Sequence, residues 1–567
     1  MPRILISLLV LCSLVLTGCA DLMELFPSEE DTTPLIQLYN APTPQPFPPE
    51  VSTSARIRER GKMLVGVRYD LEPFSYVASD GRLAGFEVDL ARELARRWLG
   101  NPNAVQFRQV RSDTALAHLQ SGEVDFVLAG IVHTQGVEGE ADYSPPYFMD
   151  GEALLTYPDT GVLGPAQVGG HNVGGLDWAT GLVELAAAAP EAFTATPYAD
   201  YFQLVEALRT RQVDVYADRL IRLERARRIV AGTQLLGQYT YEPVALMYRE
   251  NDPYFAELVA TTFRDMTTEG TWDSLYAQWL STESLPAFSP WAGTRATPTL
   301  ADAPRERSNV DTVTGIRNRG VVEAGYFTDR WPYSADRNDG AQTGFEAWLL
   351  ERMAERWLGT QQAVTFVPVT EADALSKLEN GELDLLIGGW VHTSAAEAEV
   401  GFSHTLLDDG VSLLSPTAAP LNSLDELAGQ AVGVIQGTVG ETALPAISQQ
   451  TGVALNLNTY PDLDTAVAAL QGGTIVALLA ERRLLLDPFY RVGGFYLPDE
   501  RLNSRPVAFV LPRGDSDFRD LLNLTLASMY ANGSFDELYR VWFDDPIPEP
   551  ILWPGEPLIP LTLRAGE

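Results

Sequence analysis

The chain has 567 residues, 46% of them hydrophobic, with 40 basic side chains against 76 acidic ones and a formal net charge of −36. That length exceeds what one hydrophobic core sustains, so two or more domains are expected. The charge excludes nucleic acid as a partner, because nothing here neutralises phosphates; it reads as a solvated acidic surface.

Residues 4–16, after Arg3, form an apolar run of thirteen. This is shorter than the ~20 residues that cross a bilayer and suits the h-region of a signal peptide. Residues 1–19 are therefore assigned to a signal peptide, ending in Leu16-Thr17-Gly18-Cys19. The only other cysteine, Cys12, leaves with it, so no disulfide or thiol chemistry is expected in the mature chain. Residues 20–54, with "APTPQPFPPEVSTS", read as an extended spacer.

Beyond the spacer the pattern alternates. "KMLVGVRY" predicts a strand, followed by a loop with Glu72-Pro73-Phe74. "GFEVDLARELARRWLG" sets Phe86, Leu90, Leu94 and Trp98 four apart and ends in Gly100, predicting an amphipathic helix. "VQFRQV" predicts a strand, "SDTALAHLQSG" a helix and "VDFVLAG" a buried strand. Alternation of this kind implies an α/β fold with a mostly parallel sheet. Ligands of such sheets sit at the carboxyl ends of strands, here the loops after Val67 and Gly130.

The chain then repeats itself. Arg60-Gly61 returns as Arg319-Gly320, "DGRLAGFE" (80–87) as "DGAQTGFE" (339–346), and "LQSGEVD" (119–125) as "LENGELD" (378–384), all at an offset of 259. "AGIVHTQGVEGEADYS" (129–144) returns as "GGWVHTSAAEAEVGFS" (388–403) at the same offset. The offset drifts to 262 at Tyr198/Tyr460 and to 263 at Trp279/Trp542. This is a duplication at domain scale, far longer than solenoid periods. Two homologous domains are expected at 55–281 and 310–545, with a linker at 282–309 and a Pro-rich tail at 546–567.

These motifs, with "DYSPPY", "VDVYAD" and "EGTWDSLYAQW" in the first copy and "LDELAGQAVGVIQGTVGE" and "NGSFDELYRVW" in the second, resemble the bacterial extracellular solute-binding proteins of family 3, the amino-acid-type receptors of ABC importers. The resemblance implies two tandem periplasmic-binding-protein-like (type II) domains. Each would have two α/β lobes joined by a two-strand hinge that closes on ligand. One lobe would combine 55–155 with 246–281 (310–414 with 508–545 in the second copy), and the other would be 158–242 (416–504). The segment Leu16–Cys19 resembles the lipobox of bacterial lipoproteins, which implies that Cys19 carries the lipid; several acyl tails anchor where one is marginal. The partners so implied are a small-molecule solute, the membrane through that anchor, and an ABC permease or other membrane partner, with the protein itself a monomer and no cofactor.

Relatives that bind amino acids carry an arginine three positions after the threonine of the "VHT" segment, where it pairs with the ligand carboxylate. Here Val137 and Ala396 stand there. Losing the partner of a buried carboxylate costs about 3–5 kcal/mol, which disfavours a conventional amino-acid reader unless Arg68, Arg111 or another cation reaches in. In the first copy the resemblance places Asp70, Phe74, Tyr76, Gly130, Trp178 and Asp218 at the ligand, with Asp218 at the amine. Acid and aromatic groups without arginine suit a cationic amine; alternatively Asp218 caps a helix and Trp178 fills a lobe surface. In the second copy Glu481 replaces the acid, Gly437-Thr438 keep a polar loop, and Tyr333, Gly389 and Trp390 line the mouth. A ligand-free second domain stands beside that reading.

His133 and His392 occupy matching positions, but no metal-ligand spacing accompanies them, and a structural role is expected. No G-x-S-x-G, H-E-x-x-H, P-loop or G-x-G-x-x-G feature is present, so no enzyme is expected. The functional expectation is a lipid-anchored, extracytoplasmic receptor for a small polar or amine solute. The alternative is a sensing or scaffold module for a separate membrane partner.

Overall fold

A computed structural model describes residues 48–134, 139–177, 179–240, 242–280, 298–337, 340–393 and 395–543. Cys19, Val137, Trp178 and the Pro-rich tail lie outside the described residues. In the first copy the amphipathic pattern of "GFEVDLARELARRWLG" becomes helix α1 (Phe86–Leu99), closed by Gly100 in the left-handed conformation. The first sheet orders its strands as Val105–Gln109, Met63–Val67, Phe126–Val127, Met247–Tyr248 and Asp142–Tyr143. The chain then crosses to a second five-stranded sheet. This contains β1 (Glu152–Thr156), β2 (Asn172–Leu176) and β3 (Val215–Arg219), flanked by Thr194–Tyr198 and Gln234–Leu235. Helix α2 (Gly181–Ala188) follows β2, and α3 (Leu220–Ile229) follows β3.

The two sheets are joined by an antiparallel pair, Phe148–Asp150 against Glu242–Val244. The crossing therefore precedes β1, and residues 152–155 belong to the second lobe rather than the first. The second copy repeats the plan. Helix α4 (Phe345–Leu358) packs on a sheet ordered Val364–Pro368, Val322–Tyr326, Leu385–Leu386, Val510–Leu511 and Gly401–Phe402. Its second sheet holds β4 (Val411–Pro416), β5 (Ala431–Ile435) and β6 (Ala477–Glu481), with helices α5 (Val439–Thr451) and α6 (Arg482–Arg491). Leu407–Asp408 paired with Pro506–Val507 forms the crossing.

One device recurs at the start of α1 and α4. Gly85 and Gly344 have φ of +129° and +130°, and a methyl on either would lie 2.2 Å from the carbonyl oxygen of Phe74 or Tyr333. Only glycine permits this approach. The glutamate two residues on is buried in each copy. Glu87 accepts from Ser75 Oγ at 2.7 Å, from Gly130 N at 2.6 Å and from Tyr147 Oη. Glu346 accepts from Gly388 N at 2.5 Å and Gly389 N at 3.1 Å, and burial pushes its carboxyl up to about 7. The helix start is thereby tied to the loop at the carboxyl end of the neighbouring strand.

The copies meet through their first lobes. Arg519 pairs with Asp142, Ser516 Oγ donates to the same carboxylate at 2.8 Å, and Arg513 pairs with Glu257 at 2.8 Å. A cleft of about 490 Å³ lies at this junction, with His133, His392 and His404 in its wall. His133 stacks on Tyr143 and His392 on Phe402, each at 4.1 Å between ring centres. Burial holds His133 and His404 down at about 3. Among the described residues no cluster of His, Cys, Asp and Glu could hold a metal ion. The end of the linker packs along residues 50–52, ahead of the first copy, with Ser52 N donating to Arg305 O and Arg307 N to Glu50 O, both at 2.8 Å.

Glu346→Ala strands two buried amide donors, each worth about 1–3 kcal/mol. The second copy is expected to lose roughly 2–4 kcal/mol in urea denaturation, and Glu346→Gln, which keeps one acceptor, less.

Candidate ligand-binding clefts

The candidate cleft of each copy is the place where its lobes meet at the carboxyl ends of the parallel strands. In the first copy Gly130 sits at its floor with φ +62°. A methyl on Gly130 would lie 2.5 Å from Leu71 Cδ2 and 3.6 Å from Ile221 Cδ1, so the two lobes approach each other here through apolar side chains. Beside them Glu72 of the first lobe pairs with Arg225 of α3 at 2.9 Å. The Arg225 guanidinium lies 4.8 Å from the Tyr201 ring centre and 5.1 Å from that of Phe202. This ion pair bridges the lobes.

The expected ligand residues divide. Tyr76 faces this region, half-buried, its ring 6.4 Å from that of Trp279. Phe74 does not: it is fully buried among Phe86 and Phe148, with ring centres 5.7 and 4.9 Å away, and serves the core. Asp70 does not either. Its side chain is 72% exposed and held by Arg68 at 2.8 Å, which lowers its pKa. Arg68 is thus engaged there, and Arg111 pairs with Asp113 on the surface, so neither replaces the missing arginine.

Asp218 is buried but engaged. It accepts from Tyr216 Oη at 2.7 Å, Arg219 N at 2.8 Å and Arg222 Nε at 2.7 Å. These donors come from its own lobe; Asp218 does not cap α3, whose N-cap is Arg219 with no side-chain cap bond. A neighbouring acid, Glu152, escaped the sequence reading. It opens β1, is fully buried, and accepts from Thr180 Oγ1 at 2.5 Å beneath the amino end of α2. Its Oε2 and the Tyr239 hydroxyl have no hydrogen-bond partner among the described residues. Burial, with the nearby Asp218 and Glu242 carboxylates, pushes Glu152 up to about 7. Arg219 pairs instead with Asp150 at 2.6 Å and Glu242 at 2.9 Å. The one available signal was an acid at the head of the apolar run "EALLT".

In the second copy the ring of Tyr333 covers Gly389: a methyl there would lie 2.3 Å from Tyr333 Cδ2. Trp390 is half-buried against Phe327, 5.6 Å between ring centres. The polar loop is internally satisfied, since Gly437 N donates to Glu441 Oε2 at 2.8 Å and Thr438 Oγ1 to Ile435 O at 2.7 Å. Glu481 accepts from Val439 N at 3.1 Å and Gly440 N at 3.4 Å, at the start of α5. Strand register corrects its alignment with the first copy. Arg219 pairs opposite Glu152, and Glu481 opposite Val411. Glu152 and Val411 share the offset of 259, so Glu481 matches Arg219 (481 − 219 = 262), and Ala480 stands where Asp218 does. The similar "ADR" and "AER" suggest an offset of 263, but a one-residue shift on a strand moves a side chain to the other face.

The model of the bacterial extracellular solute-binding proteins, family 3, matches residues 63–282 and again 322–545. The chain belongs to this family, in two copies. Among its relatives, the glutamine-binding protein of an ABC transporter from Bacillus subtilis is 27% identical over 231 residues, 40% of this chain and 84% of that one. A glutamate/aspartate import solute-binding protein of Salmonella typhimurium is 22% identical over 253 residues, 43% of this chain and 83% of that one. Among solved structures, an ancestral cationic amino acid solute-binding protein aligns at 25% identity, covering 41% of this chain and all of that one, with a TM-score of 0.36. Each relative is the size of one copy. The family is a solute-binding one, and no helix among the described residues is long and apolar enough to cross a membrane.

Glu152 offers a pH test. Its folded-state pKa is about 7 against an ordinary 4.5, so the unfolded chain gives up the proton first. Its contribution is favourable below about pH 4.5 and is lost as pH rises through 7. At about 1.4 kcal/mol per unit, Glu152→Gln is expected to stabilise the first copy by on the order of 2 kcal/mol at pH 8 and little at pH 4.5, measured by urea titration at both.

Proposed function

We propose that this protein is an extracytoplasmic receptor, lipid-anchored at Cys19, that hands a small polar or amine solute to an ABC permease by closing its lobes. The observation that carries the reading is the twofold occurrence of two α/β sheets joined by a single antiparallel strand pair. A link this slender leaves hinge motion as the soft mode, and in the first copy the Glu72–Arg225 pair spans the gap. The chemistry of the first cleft supports a cationic amine. Among the described residues Asp150 and Glu242 pair with Arg219 and Asp218 with Arg222, so four carboxylates, with Glu152, stand beside two arginines, and Glu152 keeps one oxygen for a donor. A ligand carboxylate would meet these acids, whereas an ammonium ion satisfies them.

The test is calorimetry on the chain lacking residues 1–19, titrated with polyamines, quaternary amines, amino acids and small sugars. Saturable binding of an amine is expected, weakened at least tenfold by Glu152→Ala. Binding of neutral sugars without amines overturns the amine assignment; silence towards every class favours the sensing or scaffold role. For the anchor, Cys19→Ser in a bacterial host is expected to move the protein from the membrane pellet to the soluble fraction.

A further inference from the structure

Two positions that face each other across the cleft carry opposite chemistry in the two copies. In the first copy they are Leu71 and Ile221, the apolar pair over Gly130. Leu71 pairs with Ser75 in a short ladder, and Arg330 pairs with Ser334 in the corresponding one. Ile221 N donates to Asp150 Oδ1 at 3.0 Å, and Arg483 N to Asp409 Oδ1 at 2.9 Å. The second copy thus places Arg330 and Arg483 where the first has leucine and isoleucine.

The Arg330 guanidinium lies at Gly388, and that of Arg483 lies near the ring that covers Gly389. Arg330 Nη1 donates to Gly388 O at 3.3 Å, and its guanidinium lies 3.4 Å from the Phe327 ring centre and 5.8 Å from that of Trp390. Arg483 lies 6.0 Å from the centre of Tyr333, the ring that covers Gly389. Burial lowers the Arg330 pKa, and the charge of Arg483 adds to the effect. The acids nearby include Asp409, paired with Arg483; Glu481, held by the start of α5; and Glu371, paired with Arg330 at the surface. Asp409 is buried under Arg483 Nε at 3.1 Å, and Glu481 accepts from the start of α5, with Arg483 and Arg505 each 3.9 Å away. Glu371, the partner of Arg330 at 2.6 Å, has a side chain 83% exposed, and such surface pairs are worth about 0–1 kcal/mol. No acid stands at the amine position, which is Ala480.

We propose that the second cleft recognises the carboxylate of a small organic acid that carries no ammonium group, clamped between Arg330 of one lobe and Arg483 of the other. An anion between two facing guanidinium groups relieves their repulsion and accepts paired hydrogen bonds from each fork. The two copies would then read solutes of opposite charge. This rests on the receptor reading of the chain.

The experiment is calorimetry on the chain lacking residues 1–19, with succinate, lactate and 4-hydroxybenzoate as acids and glutamine as the zwitterion. At least one acid is expected to bind with 1:1 stoichiometry and glutamine at least tenfold more weakly. Arg330→Gln is expected to reduce the affinity at least 30-fold and Arg330→Lys, which keeps charge without the fork, by less. Arg330 is half-buried with an exposed partner, so both variants are expected to keep the wild-type urea midpoint; Arg483→Gln is the second variant, read against its own midpoint. No acid bound while the first copy binds an amine overturns this inference and leaves the receptor reading standing. Acid binding unchanged in both Arg330→Gln and Arg483→Gln, or glutamine bound more tightly than every acid, overturns it too. No binding of amine or acid by either copy overturns the receptor reading itself.

Discussion

The buried carboxylate at the second position of α1 and α4 is the interaction on which the clefts depend. An unpaired charge in that position would cost several kcal/mol. Glu87 and Glu346 avoid the cost by accepting from the amides of Gly130, Gly388 and Gly389. Those glycines lie in the loop at the carboxyl end of the neighbouring strand, so the helix start and that loop are held by one set of bonds. The glycine before each glutamate lets the helix start press against the Phe74 or Tyr333 carbonyl. Position and shape of that loop therefore follow from a motif of three residues, G-F-E, repeated 259 residues later.

On that common frame the two copies have diverged in charge. The first gathers four carboxylates, Asp150, Glu152, Asp218 and Glu242, beside two arginines, Arg219 and Arg222, with an apolar contact between its lobes at Leu71 and Ile221. The second has exchanged that contact for Arg330 and Arg483 and lacks the acid on β6 that Asp218 supplies on β3. Neither carries an arginine three positions after the threonine of its "VHT" segment, where Val137 and Ala396 stand. The junction between the copies is built from the first lobes, through Asp142, Arg519, Glu257 and Arg513.

Much of the fold was legible in the chain. Helix α1 follows from apolar residues four apart with a terminal glycine, and the sheets from short apolar runs between turn residues; these are local signals. The duplication, the family and the two-lobed plan follow from motifs that recur in register. The sites were less legible. Phe74 reads as an aromatic beside a loop, and only the packing of Phe86 and Phe148 around it assigns it to the core. Asp218 reads as an amine ligand or a helix cap, and its three donors appear only once β3 leads into α3.

The sequence by itself determined the number of domains, their α/β character, their family and the missing arginines, because periodicity and motif are properties of neighbours along the chain. Only the tertiary structure decided which charges face the clefts. Glu481 aligns with Asp218 by motif and with Arg219 by strand pairing, and the pairing prevails because alternate residues of a strand point to opposite faces. Glu152 meets Thr180 across 28 residues, and Arg330 meets Glu371 across 41. Contacts at such separation depend on how sheets and crossings bring lobes together, and no local pattern in the chain encodes them.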